Sequence, residues 1–235
     1  MDNEIFPMRL NKYLAWKKLA SRREADRLIS DKKVLINDRV AVLGDKVSEK
    51  DVVKIIERKG KEELPKLTVA LNKPRGLISA INEKGGETIF DYLPQYKHLN
   101  AVGRLDKESE GLILLSNDGV LTAVVTSEKH LIEKEYEVQV WEKIQPLSLR
   151  RLAEGVLLDG KMTLPAVVEQ LNDMSFSIVL KEGRKHQIRR MAAETHLTIK
   201  NLKRIRIGKI TLKEIEKPGE YRELKPEEVN KLKNA

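Results

Sequence analysis

The sequence predicts an α+β protein: a small N-terminal α/β module, a linker, and a larger domain built on a largely antiparallel mixed β-sheet with flanking helices. Three observations carry the prediction. Strand-length apolar runs follow one another across short polar turns, with only a few helical stretches between them. Residues 58–66 are charged, contain Gly and Pro, and have no apolar period, so they divide the chain. The 235 residues suffice for a small module plus a domain with a sizeable core. The expected domains are residues 8–57 and 67–235.

In the first module, Leu10, Tyr13 and Leu14 recur at helical spacing. Ser21-Arg22-Arg23-Glu24 has the form of a capping box, and a second helix follows through Ala25, Leu28 and Ile29. Val34, Ile36, Val40 and Val42 read as short strands around an Asn37-Asp38 turn, and Val52 to Ile56 closes a small sheet. Arg22 and Arg23 fall in the first turn of a helix, where the macrodipole disfavours cations unless an anion is bound. Long arginines extending into water would account for them equally well.

The larger domain opens with a strand at Leu67 to Leu71 and a turn, Lys73-Pro74-Arg75-Gly76, carrying two cations. Thr88 to Leu93 reads as a short helix. Asn100 to Val102 leads into Gly103-Arg104-Leu105-Asp106, and the buried strand Leu112 to Leu115 then ends at Ser116, Asn117 and Asp118, all good helix caps. A carboxylate therefore hangs on a loop between two fixed elements, as catalytic groups often do. By itself this fragment also fits an ordinary surface turn with a solvated ion pair. Glu133 to Trp141 alternates as a strand around Tyr136, and Leu147 to Ala153 reads as a helix. Pro165 to Leu171 and Ser175 to Leu180 form a strand pair. At Gly183 a strand stops and a helix starts, placing His186, Arg189 and Arg190 on one face with Ile188 turned toward the core. Ile199 to Ile207 is a basic strand, Glu220 to Leu224 a last short one, and Pro226 starts a terminal helix.

Composition bounds the chemistry. The absence of cysteine excludes disulfides, thiolate catalysis, iron–sulfur clusters and cysteine-bound zinc, and fits a reducing cytoplasm. The four histidines show no ligand spacing, so no metal site is expected. The N-terminal stretch is not a secretory signal, and no apolar run approaches the length that spans a bilayer. The formal charge of +9 is clustered: residues 1–60 hold 15 basic and 10 acidic side chains, and residues 181–209 hold 10 and 2. Two basic patches point to a polyanion.

Residues 8–14, Ser21 to Ala25, Val34 to Asn37 and Gly44 to Val47 resemble an S4-like RNA-binding domain. The resemblance implies shape-led binding of structured RNA, with Arg9, Lys12, Arg22, Arg23 and Arg27 as phosphate contacts. From Lys73 to Leu224 the sequence is similar to pseudouridine synthases of the RsuA, RluB, RluE and RluF type. The matching pieces come in the family's order: residues 73–76, 103–106, 111–119, 134–138 and 183–191.

That resemblance implies cofactor-independent isomerisation of a uridine, breaking the N1 to C1′ bond and rejoining the base through C5. It makes Asp106 the catalytic carboxylate, Arg189 its partner, Tyr136 the ring that stacks on an everted base, Ile188 a wall of the uracil pocket and Arg104 a backbone contact. A pocket dry enough for uracil would penalise a charged carboxylate, so a fixed guanidinium is needed to keep it ionised. Lys73, Arg75, Arg184, Lys185, His186 and Arg190 are expected as further RNA-binding groups. Arg rather than Lys at position 189 matches the large-subunit relatives. The expected partner is ribosomal RNA or a ribosome-assembly intermediate, met by a monomer in the cytoplasm without a membrane. Two other readings are a catalytically silent RNA-binding or assembly factor on the same scaffold, and a hydrolase using Asp91, Asp106 and Asp118.

Overall fold

The computed structural model describes residues 6–17, 19–20, 22–56, 65–79, 85–127 and 129–234, with the side chain of Arg23 outside that description. The chain divides into two units, Met1–Pro65 and Lys66–Ala235. Among the described residues no helix is long and apolar enough to cross a membrane.

The first unit runs β1 (Met8–Arg9), α1 (Leu10–Trp16), α2 (Arg22–Ser30), β2 (Val34–Ile36), β3 (Arg39–Val40), β4 (Lys46–Val47) and β5 (Val53–Ile55). Leu10 and Leu14 of α1 pack against Ala25 and Ile29 of α2, and Val34, Ile36 and Val47 close this core. The Asn37-Asp38 turn takes positive φ at both positions, 48° and 66°, as a tight hairpin between β2 and β3 demands. Val42, expected in a strand, is in a turn instead because its amide donates to Asp45 Oδ2 at 2.9 Å. The proposed cap Ser21 and most of the linker, residues 58–64, lie outside the described residues.

The second unit runs β6 (Thr68–Lys73), α3 (Ile89–Tyr92), β7 (Asn100–Val102), β8 (Glu110–Ser116), α4 (Gly119–Thr126), β9 (Lys134–Val140), α5 (Pro146–Glu154), β10 (Leu157–Leu158), β11 (Lys161–Met162), β12 (Val167–Asn172), β13 (Ser175–Leu180), α6 (Gln187–Glu194), β14 (Ile199–Ile207), β15 (Ile210–Thr211), β16 (Tyr221–Glu223) and α7 (Pro226–Lys233). One mixed sheet has the order β12-β13-β9-β14-β8-β6-β16, with β7 added to β8 and β15 to β14. Only the β14–β8 pairing within it is parallel.

Side-chain alternation explains why β8 is a continuous apolar run. Leu112 and Leu114 face a core with Leu121, Val125 and Leu232, whereas Ile113 and Leu115 face one with Val69, Leu71, Ile89 and Phe90. A third core joins Val138, Phe176, Ile178 and Leu202 to Leu152 of α5 and Met191 of α6.

Asp91 and Asp118, two carboxylates of the hydrolase reading, are helix caps. Asp91 forms a capping box with Thr88, and Asp118 accepts from the Val120 amide at 3.0 Å. Burial pushes the Asp118 carboxyl up, but Lys233, Lys66 and the α4 amides outweigh it and hold the group below its usual value.

Candidate active site

Between β7 and β8 the chain turns at Gly103, with φ +77°, and presents Leu105 inward and Asp106 outward. Leu105 is buried in the core shared with α3. The loop after β6 clamps the peptides on either side of Asp106. Ser79 Oγ donates to Leu105 O at 2.6 Å and accepts from the Leu105 amide at 3.2 Å, and the Gly76 amide donates to Lys107 O at 2.8 Å. The Ser109 amide closes the turn onto Asp106 O at 3.0 Å. The Asp106 side chain is 35% exposed, so the enclosed carboxylate expected from the resemblance is here reachable from solvent.

Two groups near the start of α6 face that carboxylate. His186 Nδ1 lies 3.1 Å from Asp106 Oδ2, and Arg189 Nε lies 3.8 Å from the same oxygen. Arg189 thus comes within ion-pair range, as the resemblance implied. Its hydrogen bonds go to the loop itself, from Nη2 to Ser109 Oγ at 3.1 Å and to Glu108 O at 3.3 Å. His186 is the residue that sequence reasoning misplaced, since it stands before the helix, in the left-handed region at φ 51° and ψ 32°, rather than on a helical face.

Three residues expected to bind RNA are engaged elsewhere. Arg184 is a correction: its guanidinium donates to the carbonyls of Leu158, Lys161 and Met162 and pairs with buried Glu182, tying the β10–β11 hairpin to the turn before α6. Arg190 pairs with Asp159 at 2.7 Å and holds that carboxyl below its usual value. Lys73 is a second correction. It is the last residue of β6, a strand buried on both faces, is itself fully buried, and donates to Pro74 O at 3.0 Å and Leu77 O at 2.8 Å. Burial pulls its pKa down to about 8 against the opposing pull of Asp106, Glu108 and Glu110. Lys73 therefore fastens the clamping loop from inside rather than meeting a phosphate.

Arg75 is exposed and pairs with Glu108 at 3.1 Å, Lys185 is exposed, and Arg104 is exposed on the loop itself. Tyr136 is half-buried and packs against both the core containing Leu105 and the core containing Ile188. The aromatic ring therefore lies at the seam between the neighbours of Asp106 and of Arg189. In the first unit Arg9, Lys12, Arg22 and Arg27 are all exposed.

Sequence reasoning missed Arg204, which is 4% exposed. Its Nε donates to Leu112 O at 2.7 Å and its Nη1 to Arg104 O at 3.4 Å, so it supports both ends of the Asp106 loop from β14. The strand approaches so closely that a side chain at Gly111, where φ is +100°, would meet the Arg204 backbone. Alternation was the available signal: Arg204 lies two residues beyond buried Leu202. Lys134, across the sheet, is pulled down to about 8 by burial and by Arg204. Among the described residues no group of three or more His, Asp or Glu is placed to hold a metal ion. A reachable carboxylate flanked by an imidazole and a guanidinium, above an apolar seam carrying a ring, suits chemistry at or beside an anomeric carbon.

A family model described as RNA pseudouridylate synthase matches residues 67–194, and one described as the S4 domain matches residues 8–53. The chain is 37% identical over 226 residues to the dual-specificity RNA pseudouridine synthase RluF of Escherichia coli K12, covering 94% of this chain and 77% of that protein. It is 35% identical over 234 residues to ribosomal small subunit pseudouridine synthase A of Vibrio parahaemolyticus, covering 97% and 100%. A crystal structure of a pseudouridylate synthase superposes with a TM-score of 0.71 at 32% identity, covering 96% of this chain and 99% of that one.

Proposed function

The chain belongs to the RNA pseudouridylate synthase family, and from that premise we propose that it converts a chosen uridine of ribosomal RNA to pseudouridine with Asp106 as the catalytic carboxylate. The observation that carries this reading is the Asp106 Oδ2 oxygen held 3.1 Å from His186 and 3.8 Å from Arg189 on a loop clamped from both sides. The carboxylate acts at C1′ or on the adjacent sugar carbon while the N1 to C1′ bond breaks. The base turns, C5 bonds to C1′, N1 takes up a proton and C5 releases one. The net change is an isomerisation without redox or hydrolysis.

Reaching a uridine within structured RNA requires flipping it, at a cost of a few kcal/mol. Stacking on Tyr136 offsets part of that, with Ile188 as the apolar wall and Arg104 on the backbone. Arg75, Lys185 and the exposed cations of the first unit, Arg9, Lys12, Arg22 and Arg27, hold phosphates. Arg189 favours a target in large-subunit RNA, reached by a monomer in the cytoplasm, as free RNA or in an assembly intermediate. The test is to incubate the purified protein with unmodified transcripts of each ribosomal RNA and map carbodiimide-dependent primer-extension stops. One new stop in the large-subunit transcript is expected. Binding to both transcripts without any stop would favour the silent scaffold instead.

A further inference from the structure

The geometry points to a role for His186 other than contact with RNA: we propose that it is a positioning residue whose Nδ1–H holds Oδ2 of Asp106 and so fixes the direction in which the carboxylate faces its substrate. The inference rests on the reading of Asp106 as the catalytic carboxylate. A carboxylate only accepts, so Nδ1 carries the proton in the 3.1 Å contact.

Arg189, the partner the sequence suggests, stands farther off at 3.8 Å and gives its Nη2 hydrogen bonds to Ser109 and Glu108. It neutralises the carboxylate and braces the loop. The direct hydrogen bond that sets the rotamer comes from the imidazole. That division of labour leaves the guanidinium bracing the loop while the imidazole keeps the carboxylate facing the sugar.

The backbone around His186 is built to hold the ring there. Its left-handed conformation is uncommon for a residue with a Cβ and persists only where the surroundings impose it. They do so through a buried polar clasp. Glu182 Oε1 accepts from Gln187 Nε2 at 2.8 Å and from the Leu164 amide at 2.9 Å, while Gln187 Oε1 accepts from the Arg184 amide at 2.8 Å. Arg184 adds its bonds to the hairpin carbonyls. Two rigid frames meet at one hydrogen bond: this clasp, and the Ser79 and Gly76 clamp beneath Asp106.

The test uses the full chain with His186→Gly and His186→Asn, and Asp106→Asn as reference. Glycine adopts the left-handed backbone without strain, so it removes the ring and spares the turn. Asparagine tolerates the same backbone and places an N–H donor the same number of bonds from Cβ as Nδ1. Single-turnover rates at saturating RNA and dissociation constants are measured separately. Losing a hydrogen bond to a charged group predicts a rate about tenfold lower for His186→Gly, with RNA affinity unchanged and most of the rate recovered in His186→Asn. A normal rate in His186→Gly, a loss confined to affinity, or His186→Asn as slow as His186→Gly would each overturn the proposal. Pseudouridine formed by Asp106→Asn would instead overturn the reading beneath it.

Discussion

Leu105 and Asp106 are chain neighbours with opposite surroundings, and the difference between them makes a site. The leucine is locked into the core shared with α3, so the next side chain must leave the protein on a backbone that cannot drift. Tyr136 does the complementary thing, packing against two cores while staying half-buried. A stacking role predicts that Tyr136→Phe keeps activity within about threefold, because the ring face survives. Tyr136→Leu keeps apolar volume without a flat face, and its rate should fall by about tenfold or more at near-normal thermal stability. Equal rates for the two variants in a tritium-release assay would remove the stacking role. At this scale a glycine turn, strand alternation and helical spacing, all local, put Asp106 on a loop, Tyr136 on a strand and Arg189 on a helix, while the roles proposed for them came from the resemblance. The sequence hid the Asp106–His186 contact, which joins residues 80 apart through a left-handed turn that no periodicity encodes. It also hid the burial of Lys73, since a charged residue beside Pro and Gly reads as a turn although it ends a strand that is buried along its whole length.

Among the elements, β8 does the most to position the site. Its two apolar faces were legible as an unbroken run, and its approach to β14 is why position 111 is glycine. Helix α7 is held more locally, by Arg222 of β16 gripping Glu228 with two hydrogen bonds of 2.8 and 2.7 Å. The pair was not legible, because a terminal helix rich in lysine and glutamate offers many partners. The Arg222 hydrogen bonds are the largest cause that takes the Glu228 pKa down to about 2. A depressed carboxyl stabilises the fold above its unfolded pKa and loses that contribution as pH falls toward the folded value. Thermal melts should therefore show the wild type more stable than Glu228→Gln at pH 7, with the gap closing between about pH 4.5 and pH 2. A gap independent of pH would mean that the ion pair contributes nothing.

For the whole molecule, the excess of +9 and its concentration in residues 1–60 and 181–209 were visible in the sequence. What composition could not supply was which cations remain available. The structure ties Lys73, Arg184 and Arg190 to protein partners, whereas Arg9, Arg22 and Arg27 are exposed on the first unit. Replacing Arg22 and Arg27 by alanine should weaken RNA binding and lower the slope of log K against log salt by about 1 for each phosphate no longer neutralised, with the saturated rate preserved. An unchanged slope would place the RNA elsewhere. The proposed function rests on the carboxylate at position 106, and the most direct measurement is pseudouridine formation by Asp106→Asn on ribosomal RNA that the wild type modifies, with binding followed in parallel. The expected result is wild-type affinity with no modified position. Pseudouridine at the wild-type position would contradict it.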